Sequence, residues 1–140
     1  MAETMTGGCL CGAVRYEITV EPLFSGKCYC EDCRRGSAGA GHSNVMAIPA
    51  PGFKMTGETT GYATPAVSGK PISRHFCPVC GSGIYSAPES MAGVLMVRAS
   101  TLDDPEAYKP QSAIFVSRAP SWDQPPEGLP TFAEMPPAPH

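Results

Sequence analysis

Seven cysteines in three short clusters constrain this chain more than any other feature: Cys9-Leu10-Cys11, Cys28-Tyr29-Cys30-Glu31-Asp32-Cys33 and Cys77-Pro78-Val79-Cys80. Two cysteines one or two residues apart can turn both sulfurs toward one ion, with Zn–S near about 2.3 Å, and two such knuckles from distant segments complete a tetrahedron. The odd count argues against a disulfide framework. Residues Met1 to Gly8 show neither a basic start nor an apolar run, so the expected setting is a soluble, cytoplasmic chain whose thiols stay reduced and bind metal. No window approaches the roughly 18 apolar residues of a membrane span. Ten basic residues thinly spread in a chain of net charge −3 leave no electrostatic footprint for nucleic acid.

The flanking residues suggest how the clusters pair. Cys11 and Cys80 are each followed by glycine, which lets the backbone turn tightly around an ion, whereas Cys33 is followed by Arg34. On that basis Cys9, Cys11, Cys77 and Cys80 make one closed four-thiolate site, and Cys28, Cys30 and Cys33 make a second site with three protein ligands. Closed tetrahedral sites are structural as a rule, while three protein ligands leave a position for water or substrate. Two alternatives stay open. Cys77-Pro78-Val79-Cys80 can be read as a redox pair, although its surroundings are strand-like rather than the βαβ setting that role requires. The second cluster can also close with a fourth ligand from His42, His75 or Asp32. Lys27, Arg34 and Arg35 flank it and are placed to offset thiolate charge or to pair with substrate carboxylates; Arg74 is a more distant candidate.

With 15 glycines and 16 prolines in 140 residues, short strands and turns are favoured over helices. In Ala13–Val20, Val14, Tyr16, Ile18 and Val20 alternate with Arg15, Glu17 and Thr19, the pattern of a half-buried strand. Further strand-like runs are Asn44–Ile48, Phe53–Met55, Ile72–Phe76, Val94–Arg98 and Ala113–Ser117. Helical turns are expected at Glu31–Arg35 and at Asp103–Tyr108, the latter capped by Asp103. The expected organisation is one small all-β domain over 1–118 with a Pro-rich strap over 119–140. Trp122, Leu129 and Phe132 of the strap pack on the body and the end frays after Met135.

The blocks Gly8-Cys9-Leu10-Cys11-Gly12-Ala13-Val14-Arg15-Tyr16, Cys28-Tyr29-Cys30-Glu31-Asp32-Cys33-Arg34-Arg35 and Phe76-Cys77-Pro78-Val79-Cys80-Gly81-Ser82 together resemble the glutathione-dependent formaldehyde-activating enzymes and their relative centromere protein V. Thr101-Leu102-Asp103-Asp104-Pro105 and the tail around Trp122 extend the likeness. The resemblance implies small antiparallel sheets in a β-tent-like arrangement stapled by two zinc ions. Cys9, Cys11, Cys77 and Cys80 would hold a structural zinc, and Cys28, Cys30 and Cys33 a catalytic one. It also implies a carbon–sulfur lyase that joins formaldehyde to glutathione as S-hydroxymethylglutathione. Tyr29 stands where many members carry histidine. The competing class is a non-enzymatic zinc-binding scaffold or interaction module.

Overall fold

The computed structural model describes residues 3–37 and 43–136. The strands are β1 (Met5–Gly8), β2 (Arg15–Ile18), β3 (Phe24–Cys28), β4 (Ser43–Pro49), β5 (Phe53–Thr56), β6 (Thr60–Pro65), β7 (Pro71–Phe76), β8 (Gly83–Pro88), β9 (Val94–Arg98) and β10 (Ser112–Ile114). The helix α1 (Glu31–Ser37) and short 3-10 turns complete the secondary structure of the described residues. The chain is therefore mostly β, as its glycine and proline content requires. It divides into two compact units: Met1–Phe24 with Met46–Tyr108, and Ser25–Val45 with Lys109–His140.

In the first unit, β1, β2 and β5 form an antiparallel sheet in the order β1-β2-β5. Alternation sets its inner face: Val14, Tyr16 and Ile18 are buried, while Arg15, Glu17 and Thr19 are exposed. Strands β9, β8, β7 and β6 follow one another in antiparallel pairing, with a register shift in β7 at His75/Phe76. Ile84, Val97, Met46 and Ile48 pack with the β2 residues in one core, which also takes in Cys9 and Cys77. Phe53 links the two sheets through its ring, 5.2 Å from Tyr16 and 5.5 Å from Tyr85, edge-on to the latter. The first-turn cap of Pro105–Ala107 is Asp104, whose Oδ1 accepts from the Glu106 amide at 3.0 Å. Asp103, the expected cap, is instead engaged by the Arg15 guanidinium and by Thr6 Oγ1.

In the second unit, β3 pairs with β10, from Gly26↔Ser112 to Cys28↔Ile114. This pair is parallel, unlike the antiparallel pairings above, which the long excursion between the two strands permits. The pairing is locked at one end by reciprocal bonds: Ser25 N–H to Gln111 Oε1 at 3.1 Å and Gln111 N–H to Ser25 O at 2.8 Å. β10 is shorter than the Ala113–Ser117 run suggests. Phe115 takes a left-handed backbone with φ of 55°, and a 3-10 turn, Val116–Arg118, follows.

The Pro-rich tail returns to this strand through its backbone, with Ala113 N–H to Pro130 O at 3.0 Å and Phe132 N–H to Ala113 O at 2.9 Å. Arg118 pairs with Glu134 beyond it. Leu129 and Phe132 are half-buried, but Trp122 is 70% exposed. The expected packing of that ring on the body is not found. Among the described residues no helix is long and apolar enough to cross a membrane.

Candidate metal centres

The first knuckle follows β1 and the second follows β7, so the sheet ends of the first unit bring four sulfurs together. Those of Cys9, Cys11, Cys77 and Cys80 lie within 4.8 Å of one another. Cys9 Sγ is 3.6 Å from Cys11 Sγ, and Cys11 Sγ is 3.8 Å from Cys77 Sγ. A tetrahedron with Zn–S of about 2.3 Å has edges of about 3.8 Å, so the donor set has the size of a zinc site. Both knuckles turn as the sequence requires: Gly12 and Gly81 adopt φ of 84° and 79°, and the Gly81 amide donates to Cys77 O at 2.8 Å.

Backbone N–H groups point at the sulfurs, as thiolates need. Val14 N–H donates to Cys9 Sγ at 3.2 Å and Val79 N–H to Cys77 Sγ at 3.4 Å. Ser82, to which the sequence reading assigned no role, ties the knuckles together. Its Oγ lies 3.2 Å from Cys80 Sγ and accepts the Leu10 amide at 3.1 Å. Nothing in a C-x-x-C-G-S string marks that hydroxyl; only the fold brings it to Leu10.

The electrostatics show why such a cluster wants a cation. The Ser82 hydroxyl and amide, with the Cys11 amide, pull the Cys80 thiol down to about 5. The Ala13 amide favours the Cys11 thiolate, but burial and the sulfurs of Cys9, Cys80 and Cys77 outweigh it and push that thiol up to about 11. One thiolate forms readily and its neighbour then resists ionisation, a conflict that a divalent cation removes.

The second cluster lies in the second unit, at the junction of β3 and α1. Cys28 ends the strand, Cys30 precedes the helix and Cys33 sits in its first turn; the three sulfurs lie within 4.8 Å of one another. Cys33 N–H donates to Cys30 Sγ at 3.2 Å, and Arg34 N–H donates to Cys30 O at 2.9 Å. The sulfurs of Cys30 and Cys33, together with burial, hold the Cys28 thiol far above its ordinary range. Two cysteine clusters could thus hold metal ions, and among the described residues no fourth His, Cys, Asp or Glu joins the second.

The proposed fourth ligands are placed as follows. Asp32 is exposed on α1. His75 belongs to the first unit, with Nε2 at 2.9 Å from Ser73 Oγ and its ring stacked 4.5 Å from Tyr85. His42 lies outside the described residues. Of the candidate substrate groups, Arg35 is exposed and bonded to Glu31 at 3.2 Å, and Arg34 is half-buried. Lys27 Nζ donates to Asn44 Oδ1 at 2.8 Å. Arg74 is in the first unit, where Nη1 donates to Thr64 Oγ1 at 3.3 Å. Tyr29 is 1% exposed, and burial, then the charge of Asp123, holds its phenol above the usual range.

A cleft of about 570 Å³ opens beside the four-thiol cluster, bordered by Leu10, Ser82, Thr101 and the Arg15–Asp103 pair. Its charged walls already satisfy each other, with Arg15 Nη1 donating to Asp103 Oδ1 at 3.0 Å.

Residues 4–118 match the family described as glutathione-dependent formaldehyde-activating enzyme. The chain belongs to that family. A protein of Halomonas elongata, provisionally named as a glutathione-dependent formaldehyde-activating enzyme, is 27% identical over 123 residues, covering 84% of this chain and 78% of that one. The crystal structure of a Rhodobacter sphaeroides protein, a structural-genomics target, superposes with a TM-score of 0.59 at 19% identity. It covers 91% of this chain and 99% of the other. That likeness concerns the fold alone.

Proposed function

We propose that this family member is a zinc-dependent carbon–sulfur lyase acting on a thiol adduct, with glutathione and formaldehyde as the reactants that the family name indicates. The observation that carries the proposal is the inequality of the two clusters, four sulfurs in one and three in the other. In this reading Cys9, Cys11, Cys77 and Cys80 hold a structural zinc, and Cys28, Cys30 and Cys33 hold the catalytic one. A zinc at the three-thiol cluster would supply a Lewis-acid position open to a thiolate or an aldehyde oxygen.

The chain's own residues then define the site. The Cys33 amide, bonded to Cys30 Sγ, holds that sulfur in place and tempers its charge. Arg34, beside the cluster and without the Glu31 bond that engages Arg35, is the first choice to pair with a substrate carboxylate. In the reaction the glutathione sulfur forms a bond to the formaldehyde carbon, the carbonyl π bond opens, and the thiol proton ends on the former carbonyl oxygen. Nothing is oxidised or reduced.

The deciding experiment follows S-hydroxymethylglutathione formation at matched protein and zinc, against the spontaneous addition of thiol to aldehyde. The expected result is a rate above background that Cys30→Ser abolishes while the four-thiol cluster keeps its metal. A background rate from protein with both sites loaded would contradict this substrate assignment and favour a binding module.

A further inference from the structure

We infer that β6 is the seat of a symmetric dimer, in which two copies of the chain join edge to edge about a dyad at Tyr62. Strand β6 stands last in its sheet, and among the described residues β7 is its one ladder partner. Natural edge strands are blunted by charge, inward-pointing lysine, bulges or proline, because unpaired N–H and C=O groups otherwise recruit another strand. From Thr59 to Gly69 this hairpin carries no charged residue. Tyr62 and Val67 are 66% and 79% exposed on it.

The register shows which groups face outward. Pro65 stands opposite Pro71, and since neither has an N–H this pair exchanges no ladder bonds. Counting by two, the bonded pairs with β7 are Thr64↔Ile72, Tyr62↔Arg74 and Thr60↔Phe76. The Ala66 N–H bond to Lys70 O at 2.9 Å, one position further along, fixes the same phase. Gly61 and Ala63 therefore direct their N–H and C=O groups away from β7.

These groups are self-complementary. With Tyr62 opposite Tyr62 of a second copy, Gly61 of each faces Ala63 of the other, and the two bonded pairs make four N–H···O=C bonds. Tyr62 then forms the non-bonded pair at the dyad, where facing side chains come closest and two aromatic rings pack well. Isologous pairing of this kind closes on itself and leaves neither β6 edge open. It also brings no like charges together, which is why a second copy fits this edge better than a charged peptide. Gly61 belongs to the same design: a Cβ there would lie 2.9 Å from His75 Cε1, so the His75 ring lies over the strand at the joint. Pro65, with no donor, ends the ladder.

The test uses the full, metal-loaded chain and does not depend on its activity. Sedimentation over a range of concentrations is expected to move from one chain to two. Hydrogen exchange is expected to slow at the Gly61 and Ala63 amides with rising concentration, while the Tyr62 and Thr64 amides, bonded to β7, stay protected throughout. Tyr62→Lys sets two ammonium groups against each other at the dyad, and Ala63→Pro removes an outward donor without touching the β7 ladder. Both should sediment as one chain with unchanged metal content. A wild-type chain that stays single at the highest concentration, or a dimer that survives both substitutions, would overturn the inference.

Discussion

In the proposed division each cysteine does one of two jobs, and substitution separates them. Cys80, whose thiol Ser82 draws down to about 5, lies in the four-sulfur cluster that joins the second knuckle to the first, so in the proposed division Cys80→Ser removes a structural ligand and with it folding free energy of the first unit. It should abolish the cooperative thermal transition or lower Tm by about 10 °C or more. Cys30→Ser leaves the four-thiol cluster whole; it should lower Tm far less and cost the activity. Equal losses of Tm would contradict the division. Beside the cluster, Arg34→Ala should raise KM for glutathione roughly tenfold, the worth of a charge-assisted bond, while Arg35→Ala, whose guanidinium is spent on Glu31, should change it little. Initial-rate kinetics decide between them. The cysteine knuckles that gather into two clusters were legible in the sequence because knuckle spacing is a local property. Ser82, and the pairing of Arg15 with Asp103 across 88 positions, were not, because they exist only once distant strands meet.

At the scale of elements, the glycines of the knuckles are backbone requirements rather than gaps to be filled. Nothing lies within 4 Å of a Cβ built on Gly12 or Gly81, yet both have positive φ. Gly12→Ala and Gly81→Ala should each cost about 1–2 kcal/mol, the penalty of a left-handed L-residue. Gly83→Ala, equally open and without positive φ, should be near neutral in the same denaturant titrations. The strands that the sequence announced, β2, β4, β5, β7, β9 and the first part of the Ala113–Ser117 run in β10, are those with alternating or β-branched runs. Strands β1, β3, β6 and β8 passed unnoticed, for Met5-Thr6-Gly7-Gly8 and Phe24-Ser25-Gly26-Lys27-Cys28 carry glycine and small polar residues that read as loop. Their strand state comes from their partners, since β-propensity is largely a record of cross-strand packing. The Asp103 cap failed for a related reason. Of two adjacent aspartates, Asp103 is drawn off by Arg15, and Asp104 is left to take the cap.

At the scale of the whole molecule, metal and proton would compete at the two unequal clusters. A thiol must lose its proton to bind metal, so a thiol held high binds metal less well at a given pH and releases it first on acidification. Cys28 and Cys30 are both held above their ordinary range, whereas in the four-thiol cluster Cys9 is drawn down and Cys80 to about 5, against Cys11, which is pushed up to about 11. Metal release followed with a chromophoric chelator as pH falls should therefore come in two steps. The step at higher pH belongs to the three-thiol cluster and should vanish in Cys30→Ser, and a single step in the wild type would count against unequal sites. The family fold was recoverable from the ordered cysteine blocks, whereas the parallel return of β10 beside β3 had no sequence signal.

In the proposed function one cluster is closed and the other is open to a small thiol. Cadmium NMR of the cadmium-loaded chain tests it without turnover. Two resonances are expected, of which glutathione moves only one, and the same one is missing from Cys30→Ser. A single resonance, or two that glutathione leaves in place, would contradict it.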